Sequence, residues 1–198
     1  MKKIGVVICL VALTSCTAAV KLIYGVKSPK PRTTSYVQKH NQKHELSHFP
    51  HYTLTYEGFC NLFSNSQNLG VQSSINQVVV FNQDGQLVTL RDSMSCSSQF
   101  MDLIRGYQDS SLTKRHPYVY FSDVFCDTLR PLNEEANPLT FSGDKHLFVI
   151  TWASFVGKLN TTSTKLWADS ISGIVANGQA EAIFVNLDLK EGWDIDIE

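Results

Sequence analysis

The strongest constraint on the fold lies in residues 147–188. Residues 147–152 (LFVITW) are a short apolar, β-rich run, and residues 181–187 contain a second one, Ala182-Ile183-Phe184-Val185. Between them Trp167, Ile171, Ile174 and Val175 recur on one side of a helix, which predicts a helix over residues 161–176. Leu159 falls two turns earlier on that side, and Asn177-Gly178 is a stop signal. Strands that are apolar without alternation have no solvated face, so this strand, helix and strand read as a parallel pair covered by helices. The first strand runs into Ala153, Ser154, Phe155, Val156 and a break at Gly157. That turn therefore sits at the carboxyl end of a parallel strand, where open α/β sheets gather their ligands.

A second unit is legible at residues 77–90. Val78-Val79-Val80-Phe81 and Leu87-Val88-Thr89-Leu90 flank Asp84-Gly85, and a turn that needs positive φ takes such a pair, so a hairpin is predicted. Phe100, Leu103, Ile104 and Tyr107 follow at helical spacing. Nearer the amino terminus, residues 35–49 predict a helix capped by Ser35 and stopped by Pro50, with His40, His44 and His48 along one flank. Residues 52–56 read as a short strand, and residues 57–70 leave helix and strand open, with Phe59, Cys60, Leu62 and Phe63 as core either way. Residues 109–144 are punctuated by Pro117, Pro131 and Pro138 and predict loops and a small subdomain, with a strand at 118–121 and a helical turn at 124–132. The acidic tail, 191–198, reads as a coil around Trp193. At 198 residues and 43% hydrophobic content, one domain with one core is the natural count. A net charge of -1 gives no argument for a nucleic-acid partner.

Trp152-Ala153-Ser154-Phe155-Val156-Gly157-Lys158-Leu159 resembles the active-site turn of thioredoxin-fold proteins, W-A-x-[WF]-C-G-x-C. The strand-helix-strand unit resembles the centre of that fold, and the hairpin with its following helix resembles the carboxyl half. The resemblance implies an α/β, thioredoxin-like fold: a mixed sheet with one parallel βαβ unit, an antiparallel hairpin and helices on both faces. The hairpin comes first here, so the sheet would be circularly permuted or rearranged. Val156 and Leu159 stand where the family has its two cysteines, and residues 73–77 lack the family's proline ahead of the hairpin. A dithiol mechanism needs a nucleophilic thiolate and a resolving thiol, and these side chains supply neither. The expectation is a non-catalytic module without a cofactor. It would use the apolar groove at Trp152, Phe155, Val156, Gly157 and Leu159 for a peptide or an envelope protein.

The amino terminus carries a second resemblance. Lys2-Lys3 precedes an apolar stretch at 4–13 of signal-peptide length, followed by Leu13-Thr14-Ser15-Cys16. This is similar to the lipobox of bacterial lipoproteins, in which the cysteine is diacylated and becomes the first mature residue. It implies a signal peptide at 1–15, a lipidated tether at 16–34 and a single domain at 35–198. Two or three acyl chains on Cys16 suffice for stable membrane anchoring. Thr17, rather than Asp, after the cysteine implies the outer membrane, on its periplasmic face. The whole chain is similar to small thioredoxin-like lipoproteins of Bacteroidetes-type bacteria.

Two other chemistries are open. Cys96, between Ser95 and Ser97 at an expected helix start, is a candidate lone redox thiol, since a helix amino terminus favours the thiolate. Alternatively Cys60, Cys96 and Cys126 are core residues, or two of them pair, with Cys60–Cys126 and Cys96–Cys126 the pairings of interest. The segment from His40 to His51, with His44 and His48 between, is a candidate metal-binding face, although no acid or thiol completes a ligand set. Asp188, at the end of the second strand, holds the position of a site residue or of a loop anchor. No nucleotide-binding, zinc-protease or serine-hydrolase motif is present.

Overall fold

The computed structural model describes residues 25–64, 75–90, 99–114, 119–125, 127–133, 139 and 141–193. Cys16, Cys96, Cys126 and the proposed signal peptide lie outside them. The elements run α1 (Thr34–Lys43), β1 (His51–Leu54), α2 (Tyr56–Ser64), β2 (Gln77–Phe81), β3 (Leu87–Leu90) and α3 (Gln99–Gln108). They continue with β4 (Leu112–Lys114), α4 (Phe121–Phe125), β5 (Leu129–Pro131), β6 (His146–Trp152), α5 (Lys158–Ala176) and β7 (Ala180–Asn186). The seven strands form one sheet in the order β4-β3-β2-β6-β7-β1-β5.

The expected βαβ unit is present. Strands β6 and β7 pair in parallel from His146 opposite Ala180 to Trp152 opposite Asn186, with α5 as the crossover. The expected hairpin is present too, with Gly85 at φ 73°, the conformation that glycine adopts without a steric penalty. The hairpin joins the same sheet. Strand β2 runs antiparallel to β6 over five residue pairs, from Gln77 opposite Thr151 to Phe81 opposite Leu147. Strand β1 then adds in parallel on the outer side of β7. The architecture is thus α/β with a mixed sheet.

Alternation along the central strands divides the core into two. Phe148, Ile150, Trp152, Ala182 and Phe184 face α1, α3 and α5, and Phe100 of α3 packs on Trp167 of α5 at 5.4 Å. Leu147, Val149, Ile183 and Val185 face α2 and α4 with Leu62, Val124 and Phe125. Both faces of β6 and β7 are therefore covered, which is why these strands are apolar throughout.

Several expectations are corrected. The first helix ends at Lys43 instead of running to residue 49, and Thr33, not Ser35, caps it by accepting the Tyr36 N–H at 3.2 Å. Glu45 takes φ 59° and the Leu46 N–H turns back to the Asn41 carbonyl at 3.0 Å. That reversal carries Leu46 and Phe49 into the core, and their burial outweighs continued helix. His48 thereby leaves the helical flank. Residues 56–64 resolve as helix. Within residues 109–144, the described strands belong to the main sheet and not to a subdomain: β4 pairs with β3 and β5 pairs with β1, extending the sheet at both edges. Of the strand expected at 118–121, the described residues form a single bridge from Tyr120 to Gln86, and the described part of the helical turn expected at 124–132 is the end of α4 (Phe121–Phe125) and then β5. Among the described residues no helix is long and apolar enough to cross a membrane.

Candidate functional site

The turn after β6 is held from three sides. Ser154–Val156 forms one turn of 3-10 helix, and Gly157 at φ 73° and ψ -145° redirects the chain into α5. An L side chain is strained in that conformation, so glycine is required to swing the helix back over the sheet. Asp188, 2% exposed at the end of β7, accepts hydrogen bonds from the Ser154 N–H at 3.0 and 3.1 Å and from Ser154 Oγ at 3.0 Å. Asn186 Nδ2 donates to the same carboxylate at 2.9 Å, and the Asp188 N–H donates to Asn186 Oδ1 at 3.2 Å. Asn160, buried in the first part of α5, donates from Nδ2 to the Ala153 carbonyl at 2.9 Å. The ends of both parallel strands are thus cross-braced, and Asp188 is the loop anchor of the two roles open to it.

Of the residues that resemble the redox turn, Trp152 is fully buried while Phe155 and Val156 are half-buried, packed against the core on the α2–α4 face. Leu159 lies in the first turn of α5, and its side chain falls outside the description. The motif is therefore split: its tryptophan belongs to one face of the sheet, and its phenylalanine and valine belong to the other.

The histidine segment meets this turn from the Trp152 side. His40 stacks on the Trp152 indole at 5.1 Å with an interplanar angle of 16°, and His51 meets it edge-on at 6.4 Å. His44 lies 4.5 Å from His40. His51 Nε2 donates to the Leu46 carbonyl at 2.8 Å, which fixes its tautomer. Burial lowers the pKa of both His40 and His51 to about 4, and His44 and Lys43 add to the effect at His40. Both rings are therefore neutral near pH 7. Among the described residues no three histidine, cysteine or acidic side chains converge on a point that would hold a metal. The segment packs a tryptophan, and His48 instead lies tilted against Phe49 at 4.3 Å.

Cys60 is a free, half-buried thiol on α2, and Cys126, its candidate partner, lies outside the described residues. Cys96, the candidate redox thiol, lies outside the described residues.

Three features escaped the sequence reading. Asn160 and Asn186 look like ordinary helix and strand polar residues, and only the approach of two strand ends makes them braces. The third is the tether. Residues 25–33, expected as free linker, lie against the domain: the Lys27 N–H donates to the Phe155 carbonyl at 2.8 Å and the Arg32 N–H to the Leu189 carbonyl at 2.7 Å. Nothing in Gly25, Pro29 and Pro31 signals a docked segment. Compared with known proteins, the chain matches no family model, no curated protein and no solved structure.

Proposed function

We propose that this chain is a lipid-anchored envelope protein whose thioredoxin-like domain is circularly permuted and binds a partner without catalysis. The observation that carries the proposal is the braced turn at residues 153–157. It occupies the carboxyl end of a central parallel strand, presents half-buried Phe155 and Val156, and has the Asp188 carboxylate committed to hydrogen bonds that hold the turn. A rigid apolar turn suits recognition of an extended peptide segment or a partner surface. Valine and leucine at positions 156 and 159 leave it without the thiols of a dithiol centre.

Permutation is supported by the sheet order. The hairpin β2-β3 lies on the free side of β6, antiparallel to it, and α3 after the hairpin packs on α5. That order is the one expected if a thioredoxin-like sheet had its carboxyl half ahead of the βαβ unit in sequence. Anchoring is supported by Lys2-Lys3, the apolar stretch and Leu13-Thr14-Ser15-Cys16, with the periplasmic face of the outer membrane as the site.

The test is envelope crosslinking and pull-down with the wild type and with Val156→Asp. Loss of specific partners from the variant is expected, provided its circular dichroism matches the wild type; identical partner sets would sink the proposed binding edge. Acyl labelling that disappears in Cys16→Ala is expected for the anchor.

A further inference from the structure

We infer that residues 25–32 are an intramolecular strap that occupies the edge of the braced turn, so that a partner reaching Phe155 must first displace the tether. This rests on the reading of that turn as a binding edge. Three backbone hydrogen bonds define the strap: Lys27 N–H to the Phe155 carbonyl, Arg32 N–H to the Leu189 carbonyl, and Glu191 N–H to the Arg32 carbonyl at 3.3 Å. Arg32 also bridges in parallel to Lys190. The strap thus pairs as an extended peptide would, by main-chain bonds to a strand-like segment at residues 189–191. It seals a carbonyl of the turn itself, which an incoming extended segment would otherwise use.

Its construction makes it displaceable. Pro29 and Pro31 have no N–H to give, so the strap is fixed at its two ends, not by a continuous ladder. Arg32 stacks its guanidinium over the Tyr36 ring at 4.4 Å, yet its Nε is buried with no hydrogen-bond partner among the described residues. A buried, unpaired donor weakens docking. Because residues 25–32 lie between Cys16 and α1, which begins at Thr34, release adds their length to the chain that separates the anchor from the domain. Occupying the edge and extending the domain from its anchor are then one event.

The test is amide hydrogen exchange on the full chain, comparing wild type, Arg32→Pro and Arg32→Ala. Arg32→Pro removes the N–H that bonds Leu189, whereas Arg32→Ala keeps it and removes only the side chain. In the wild type, the Lys27 and Glu191 amides are expected to be protected. In Arg32→Pro they should exchange at least tenfold faster while the amides of β6 and β7 hold their rates. Arg32→Ala should retain most of the protection. Unprotected Lys27 and Glu191 amides in the wild type would overturn the strap and leave the proposed binding edge standing. Crosslinking then tests the coupling: Arg32→Pro should raise capture through a photoreactive residue at position 156 several-fold over wild type. If the strap is released and capture does not rise, the strap is structural and gates nothing. If Val156→Asp leaves partners unchanged as well, the binding edge itself fails.

Discussion

At the scale of single residues, the site depends on groups whose partners are buried. Asp188 accepts from Ser154 twice over and from Asn186, so its removal strands three donors in a protein interior. Asp188→Ala is expected to cost about 2–4 kcal/mol in urea unfolding, against roughly 1 kcal/mol for Ser154→Ala. The double variant should cost less than the sum, because both changes break the same contact. Gly58 makes a different case. Alanine in a helix interior ordinarily stabilises by about 1 kcal/mol relative to glycine. Here a Cβ at position 58 would overlap the Thr128 side chain, where the α2 backbone passes close to the loop before β5. Gly58→Ala is therefore expected to destabilise by roughly 1–3 kcal/mol, as overpacking does. Thr128→Gly in the same chain should restore much of the loss; a stabilising Gly58→Ala would refute the contact.

At the scale of elements, α1 and the turn after it form a clamp on Trp152 that is sensitive to acid. His40 and His51 titrate near 4 when folded and near 6.5 in a solvated chain, because burial disfavours the charged ring. Between those values the unfolded state binds more protons than the folded one, so stability rises with pH and falls as pH drops through that window. Between pH 7 and pH 5 the loss is expected to be about 1–2 kcal/mol per histidine, with the half-exposed His40 ring at the lower end. Urea midpoints measured at the two pH values check this, and His51→Gln should flatten the dependence. A pH slope unchanged by that substitution would mean that other groups set it. Glu45, in the turn after α1, pairs with Lys165 of α5 at the surface.

At the scale of the whole molecule, β6 is the shared spine. It is paired on both sides and contributes alternate residues to both core clusters. Phe148 is fully buried at its centre, and Phe148→Ala is expected to cost about 3–5 kcal/mol. Because the two halves of the core meet on one strand, the described domain should unfold in a single transition, with coincident far-UV and near-UV curves. Separate transitions for the hairpin side and the β7 side would show that the spine does not couple them.

Local pattern carried much of this fold. Two apolar runs around an amphipathic helix specify a parallel pair because nothing else buries such strands, and the Asp84-Gly85 hairpin is written in a positive-φ requirement. Gly157 likewise marks the turn of the site by the one backbone conformation that it allows. Tertiary structure alone decided how the pieces join. Gln77 and Thr151 meet across 74 residues of chain, and β1 enters the sheet beside β7. Such pairings follow from the total packing of two faces, and no window of neighbouring residues encodes them. The same holds at the site: its valine and leucine were legible, but the lock between Ser154 and Asp188 and the strap across Phe155 arise from side chains and backbone groups brought together only when the sheet closes.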